Sequence, residues 1–332
     1  MSRKICLTGI KPSGTPHIGN YFGAIKPSIE LAEHYDSRYF IADYHALNTI
    51  KDSALLKELT HKLAATWLAC GLDPETMMFY RQSDVPETFE LTTILMAFTS
   101  KGLMNRAHAY KASVQENTLT GNDPDAGINM GLFTYPVLMA ADILLFNTNI
   151  VPVGKDQKQH VEISADIAQS LNHIYGKELL TVPKPVISET TQVIVGLDGR
   201  KMSKSYDNVI PLFLPSKKLR KIITKIVTNS QEIEEPKDPD SSHVFSLYKL
   251  FATPEEQTAA RERYLAGDMG WGHAKQELFE IIDAHFAPMR EKYDLLMEDP
   301  AHIDSILKEG AEKARTIAAA TVQRLRNAVG ID

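Results

Sequence analysis

The 332-residue chain has only two cysteines, Cys6 and Cys70, both in apolar surroundings. Two thiols are too few for a four-cysteine zinc or iron–sulfur centre, and buried free cysteine is the expected state. A reducing, cytoplasmic setting fits that usage. Long apolar runs are missing as well: none approaches the ~18–20 residues that cross a bilayer. The opening Met-Ser-Arg-Lys-Ile-Cys-Leu-Thr-Gly enters a strand-like stretch with no signal-peptide pattern, so no membrane association is expected. An overall positive field is also lacking, with 36 Lys and Arg against 42 Asp and Glu and a net charge of −6. Any nucleic acid must therefore meet a local basic patch. Internal repeats and low-complexity tails are absent, and no resident metal site is expected.

What remains is ordinary for a globular protein, at 43% hydrophobic and 23% charged residues. The length favours one large domain plus a smaller one. Short apolar runs alternate with helical patterns in the first half. Strands are expected at residues 5–8, 39–42 and 77–80, with helices near 17–35, 53–70 and 86–99. This β-α-β-α rhythm predicts a doubly wound parallel α/β sheet, with ligands beyond the carboxyl ends of its strands. Residues 114–127 are polar and turn-rich and read as a surface loop, followed by helices near 128–146 and 157–174. From about residue 213 the pattern is nearly all helical, with segments near 215–229, 243–252, 254–265, 271–297 and 301–329. On the first of these, Lys217, Lys221 and Lys225 would align at i, i+4 and i+8, with Leu219, Ile222, Ile223 and Ile226 facing inward. Such a stripe is either a solvated face or a basic patch for nucleic acid.

Two short motifs carry the chemistry. Residues 17–20 read His-Ile-Gly-Asn after the first strand, where a tight turn enters a helix whose free N–H groups attract phosphate. Gly19 lets a flat base or ribose approach the backbone, and His17 and Asn20 can donate to phosphate oxygens. Residues 201–205 read Lys-Met-Ser-Lys-Ser, two cations and two hydroxyls behind Gly196 and Gly199. If ATP is cleaved between its α- and β-phosphates, Lys201 and Lys204 would neutralise the departing pyrophosphate. Alone, the first motif is equally an ordinary turn and the second a solvated charged loop. In this order and so far apart, they describe a nucleotide held from two sides.

The pair resembles the signatures of class I aminoacyl-tRNA synthetases, and nearly the whole chain is similar to the bacterial tryptophanyl-tRNA synthetase family. Besides the signatures, residues 14–21, 135–145 (Tyr-Pro-Val-Leu-Met-Ala-Ala-Asp-Ile-Leu-Leu) and 151–162 (Val-Pro-Val-Gly-Lys-Asp-Gln-Lys-Gln-His-Val-Glu) carry the likeness. The resemblance implies a Rossmann-like catalytic domain over residues 1–210 plus 298–332 and a helical anticodon-binding domain over 211–297. It implies tryptophan activation by ATP, with Mg2+ accompanying the phosphates, then transfer to tRNA(Trp) by a symmetric homodimer. His17, Asn20, Lys201 and Lys204 would be catalytic. Lys11, Pro12, Ser13, Gly19, Asn20, Gly154, Lys155, Asp156, the backbone near Val193, and Lys201, Met202, Ser203, Lys204 and Ser205 would surround ATP.

Tyrosyl-tRNA synthetases share this architecture, so the side-chain pocket must decide. Tyr135, Met139 and Asp142 fall at i, i+4 and i+7, on one helical face. An ionised Asp142 only accepts and an indole N–H only donates, so they pair; a phenol could also donate, so the aspartate alone does not decide. Tyrosine enzymes of the archaeal type carry glutamine where this chain has Met139, and the adaptable methionine suits an indole. Leu7, Val151 and Val153 are expected as pocket walls, with His45 and Gln157 as polar contacts; core strand and a structural histidine are the alternatives. The chain departs from the family at Lys11 (usually Gln), Leu7 (often aromatic), Lys155 (usually acidic) and Tyr44 (Gln). Its loop around Arg106 and Lys111 also matches poorly. Competing functions are a tyrosyl-tRNA synthetase, a tRNA-independent adenylyltransferase of the pantothenate synthetase kind, and a synthetase-like paralog that binds tryptophan without charging tRNA. An adenylyltransferase of the pantothenate synthetase kind has no reason to resemble residues 135–162.

Overall fold

The computed structural model describes residues 3–187 and 194–331. Among the described residues, five parallel strands form one sheet in the order β3-β2-β1-β4-β5. These are β1 (Ile5–Ile10), β2 (Asp36–Ile41), β3 (Met78–Arg81), β4 (Ile150–Val153) and β5 (Lys184–Ile187). The register pairs Ile5 with Asp36, Arg38 with Met78, Cys6 with Ile150 and Ile150 with Lys184. Strand order therefore reverses between β1 and β4, the crevice where open α/β sheets bind ligands.

Helices fill the connections. After β1, α1 (Ile18–Asn20) runs through a π-helical turn (Tyr21–Ile25) into α2 (Lys26–Leu31). Between β2 and β3 lie α3 (Asp43–Ala46) and α4 (Ser53–Ala69), the latter started by the Asp52 carboxylate accepting from the Leu55 N–H at 3.0 Å. After β3 come α5 (Glu87–Ala97), α6 (Lys101–Asn105), α7 (His108–Leu119) and α8 (Met130–Leu144). Asn129 caps α8 through the Leu132 N–H at 2.9 Å. The sheet is completed around α9 (Lys158–Tyr175). The remainder is helical: α10 (Ser216–Ile223), α11 (His243–Tyr248), α12 (Pro254–Ala266), α13 (Trp271–Glu298) and α14 (Pro300–Val329).

Three apolar cores result among the described residues. One packs Leu7, Phe40 and Val151 of the sheet against α5, α8, α9 and Ala311, Ala314 and Ala318 of α14. A second, on the opposite face, joins Tyr39, Ile41 and Phe79 to Trp67 of α4 and Ile303 and Leu307 of α14. The third joins Ile18, Tyr21 and Met202 to the C-terminal helices through Leu219, Phe245, Tyr264 and Phe286. The long α14 thus returns to the sheet and lies on β3. It comes so close that a Cβ on Gly310 would sit 1.8 Å from the Phe79 carbonyl oxygen. Among the described residues no helix is long and apolar enough to cross a membrane.

The doubly wound α/β sheet with a helical C-terminal part agrees with the sequence reading, with four local differences. Residues 114–119, expected in a loop, belong to α7, a helix with no buried residue and hence no apolar stripe to betray it. The turn-rich stretch after it is tied back by Asn117, whose amide donates to the Pro124 and Ala126 carbonyls at 3.0 and 2.8 Å. Strand β5 was not expected: it is four residues long and contains Pro185, as an edge strand permits. The helix expected over 17–35 ends at Leu31. Helix α10 ends at Ile223, so Lys225 lies beyond the helix and does not continue the expected stripe, although Leu219, Ile223 and Ile226 are buried as expected.

Candidate active site

At the switch point between β1 and β4 the sheet opens into a cavity of about 1110 Å³. Leu7 and Gly9 of β1, Val151 and Val153 of β4, and Tyr135, Met139 and Asp142 of α8 line it together with His45 and Gln157. Every side chain expected to meet tryptophan therefore borders one chamber. Lys11 and Gly154, expected at the nucleotide, line the same cavity. Asp156 stands close by, 2.6 Å from where a Gly154 Cβ would be, and both it and Lys155 are exposed.

Asp142 is 3% exposed and already hydrogen bonded. His45 Nε2 lies 2.9 Å from its Oδ2, while Gln82 Nε2 lies 2.8 and 3.0 Å from Oδ1 and Oδ2. Burial raises its pKa, and the bonds from His45 and Gln82 oppose that rise. His45, expected as a polar contact of the pocket, lines the cavity and is at the same time bonded to the aspartate. A second polar chain runs along the rim. Gln157 Nε2 donates to Asp156 at 3.3 Å, which turns its Oε1 to accept from His160 Nδ1 at 3.0 Å. His160 Nε2 is then left to accept from the Tyr135 hydroxyl. Burial lowers the His160 pKa, in keeping with that neutral tautomer. Gln82 and His160 were not singled out in the sequence. His160 sits inside the 151–162 stretch, i+3 from Gln157, which is the one local signal that could have found it.

The two signature segments touch each other. The Gly19 N–H donates to Met202 Sδ at 3.4 Å, and Lys204 Nζ donates to the Ser13 carbonyl at 3.4 Å. The Ile18 N–H donates to the Ile210 carbonyl at 3.0 Å. His17 is 6% exposed, and its N–H donates to Asn20 Oδ1 at 3.1 Å. Its Nδ1 is buried without a hydrogen-bond partner among the described residues. Burial, and then the nearby Lys204 charge, push its pKa down to about 4. The imidazole is neutral at pH 7, a hydrogen-bond group rather than a cation.

Residues 201–205 are shaped from behind by Asn208, which is 2% exposed. Its Oδ1 accepts from the Ser203 N–H at 2.8 Å, and its Nδ2 donates to Asp198 at 2.6 Å and to the Lys201 carbonyl at 3.1 Å. Ser203 Oγ accepts from the Ser205 N–H at 3.3 Å. Lys201, Lys204 and Ser205 remain exposed while Met202 is buried. Pro12 is buried and Ser13 exposed beside this contact. Val193, expected near ATP, lies outside the described residues. His17, Asn20 and residues 201–205 do not line the cavity itself; they form a cationic and amide-bearing edge beside it.

Comparison with known proteins gives a consistent picture. Residues 2–287 match the model of the family described as tRNA synthetases class I (W and Y). The chain is 54% identical to the tryptophan–tRNA ligase of Pseudomonas putida over 98% of its own length and 73% of that protein. Its structure is similar to that of tryptophanyl-tRNA synthetase from Campylobacter jejuni complexed with ADP and tryptophan. The TM-score is 0.91, at 47% identity over 98% of this chain and 99% of that one. The Mycoplasma pneumoniae tryptophanyl-tRNA synthetase is similar at a TM-score of 0.80 and 29% identity, covering 99% and 98%.

Proposed function

The chain belongs to the class I tRNA synthetases of the tryptophan and tyrosine family, and from that premise we infer the following reaction. It is an AMP-forming tryptophan–tRNA ligase. The tryptophan carboxylate attacks the α-phosphate of ATP in line, the bond to the β-phosphate oxygen breaks, and pyrophosphate leaves from tryptophanyl-adenylate. The terminal ribose hydroxyl of tRNA(Trp) then attacks the acyl carbon and AMP departs. Such chemistry needs positioning and charge stabilisation, with no covalent enzyme intermediate.

The cavity with one buried carboxylate among Leu7, Met139, Val151 and Val153 carries the choice of tryptophan. An indole fills apolar walls with its rings and gives its N–H to Asp142. A phenol oxygen would leave acceptor capacity unpaired against methionine. Beside the cavity, Lys201 and Lys204 hold pyrophosphate while His17, Asn20 and the Gly19 N–H hold the triphosphate from the other side. This edge offers ammonium, amide and imidazole groups rather than carboxylates, a donor set for phosphate oxygens. Mg2+ would therefore accompany ATP as a counterion of its phosphates, neutralising charge there beside Lys201 and Lys204.

We also place the domain boundary at residues 211–297 for the helical part, with 298–332 returning to the catalytic sheet as α14 does. The enzyme acts in the cytoplasm as a homodimer, with anticodon contacts in the helical part. Charging of bulk bacterial tRNA with tryptophan versus tyrosine tests the reading. Tryptophan acceptance is expected; acceptance of tyrosine, or of neither with adenylate still formed, overturns it.

A further inference from the structure

Gln82 is wholly buried in the 3-10 turn that follows β3, a place where an amide must satisfy both of its ends. Its Oε1 accepts from the Tyr44 backbone N–H at 3.2 Å. That bond fixes the amide orientation and turns the NH2 group onto the Asp142 carboxylate, 2.8 and 3.0 Å from its two oxygens. The turn is clamped in place, because Asp43 accepts from the Ser83 N–H at 3.1 Å and from the Ser83 hydroxyl.

We propose that Gln82 is a positioning residue that keeps the Asp142 carboxylate ionised and aimed, so that the pocket selects its amino acid by a ring N–H. The proposal rests on the assignment of Asp142 to the tryptophan side chain. A carboxylate offers about four acceptor sites. Gln82 and His45 together occupy Oδ2 twice and Oδ1 once, which leaves a free site on Oδ1 for one further donor. Without these donors, burial beside Leu7, Met139 and Val151 acts unopposed and favours the protonated carboxyl. A neutral acid both donates and accepts, and it no longer tells a ring N–H from a ring acceptor. The Gln82 amide has no titratable proton, so the support it gives does not depend on its own protonation.

The test uses two amino acids that differ at one ring atom, tryptophan and its benzothiophene analogue, in which sulfur replaces the indole N–H. Pyrophosphate exchange by the full-length protein gives kcat/KM for each. Wild type prefers tryptophan, and Gln82→Leu reduces that preference by about 10-fold or more. The loss falls on the tryptophan KM, while turnover of the analogue persists and reports an intact fold. A parallel fall for both amino acids marks mere structural support and overturns the proposal. If Gln82→Leu does not fold, the isosteric Gln82→Glu replaces it. That variant places a second carboxyl against Asp142 and is expected to erase the preference; an unchanged preference overturns the proposal. Asp142→Asn separates the two assignments. A preference that survives Asp142→Asn sinks the role of Asp142 itself, whereas one lost there but kept in Gln82→Leu sinks only that of Gln82.

Discussion

His17 is held neutral in a place where its unfolded counterpart would take up a proton. Its pKa falls from 6.5 to about 4 on folding, through burial first and the Lys204 charge second. Between these values the unfolded chain binds more protons, so stability is lost as pH falls through about 6.5 and the loss is complete below about 4. The full effect is on the order of 3 kcal/mol. His17→Asn should therefore shrink the difference in urea midpoint between pH 7 and pH 4; an unchanged difference would show that the imidazole does not carry it. Asp142→Ala should raise the tryptophan KM of pyrophosphate exchange far more than the ATP KM, since it removes the acceptor of the cavity. Lys204→Ala should lower the exchange kcat by ~3–4 kcal/mol in activation free energy, by analogy with the loss of a preorganised oxyanion donor. Its tryptophan affinity should stay unchanged; a pure binding defect would count against a transition-state role. The signature residues and the Tyr135, Met139 and Asp142 face were legible because their chemistry is local: a short motif, or a spacing on one helix. Gln82, 60 residues from Asp142, gave no such signal, because only the sheet brings the two together.

Secondary elements differed in how much of themselves they disclosed. Helix α8 was legible as a helix near 128–146, and α9 as one near 157–174. Helix α7 was not, since nothing on it is buried, and β5 was too short and too interrupted by Pro185 to stand out. The shape of the 201–205 segment is likewise set from outside it, by Asn208. Asn208→Ala should leave the tryptophan KM near wild type while raising the ATP KM and lowering kcat, as the Ser203 N–H and Lys201 carbonyl lose their shared partner. A rise confined to the tryptophan KM would contradict that role. At α14 the tolerance is tighter still. Gly310→Ala drives a Cβ to 1.8 Å from a backbone oxygen of β3, and neither partner is a flexible side-chain end. We expect a loss of about 3 kcal/mol or more, read as a drop in the guanidinium midpoint.

Across the whole molecule, the signature helix joins the sheet to the core of the C-terminal helices. Tyr21 packs edge-on against Phe22, His285 and Phe286, and its hydroxyl lies 3.1 Å from His285 Nε2. These rings share one core with Met202, while the amino-acid cavity adjoins a different one. Phe286→Ala should thus cost ~3–5 kcal/mol of stability and slow adenylate formation, with little change in tryptophan KM at temperatures where the variant is folded. An equal effect on tryptophan affinity would show that the two cores act as one unit.

The return of α14 to β3 also bears on how the protein is made. Translation delivers β3 early and α14 only after the intervening helices, on the order of ten to forty seconds later at ~5–20 residues per second. Until then the emerging sheet lacks the side chains that cover Phe79, Tyr80 and Tyr39. A nascent chain stalled before residue 300 would present that bare apolar strand to chaperones, whereas the released full-length chain would not.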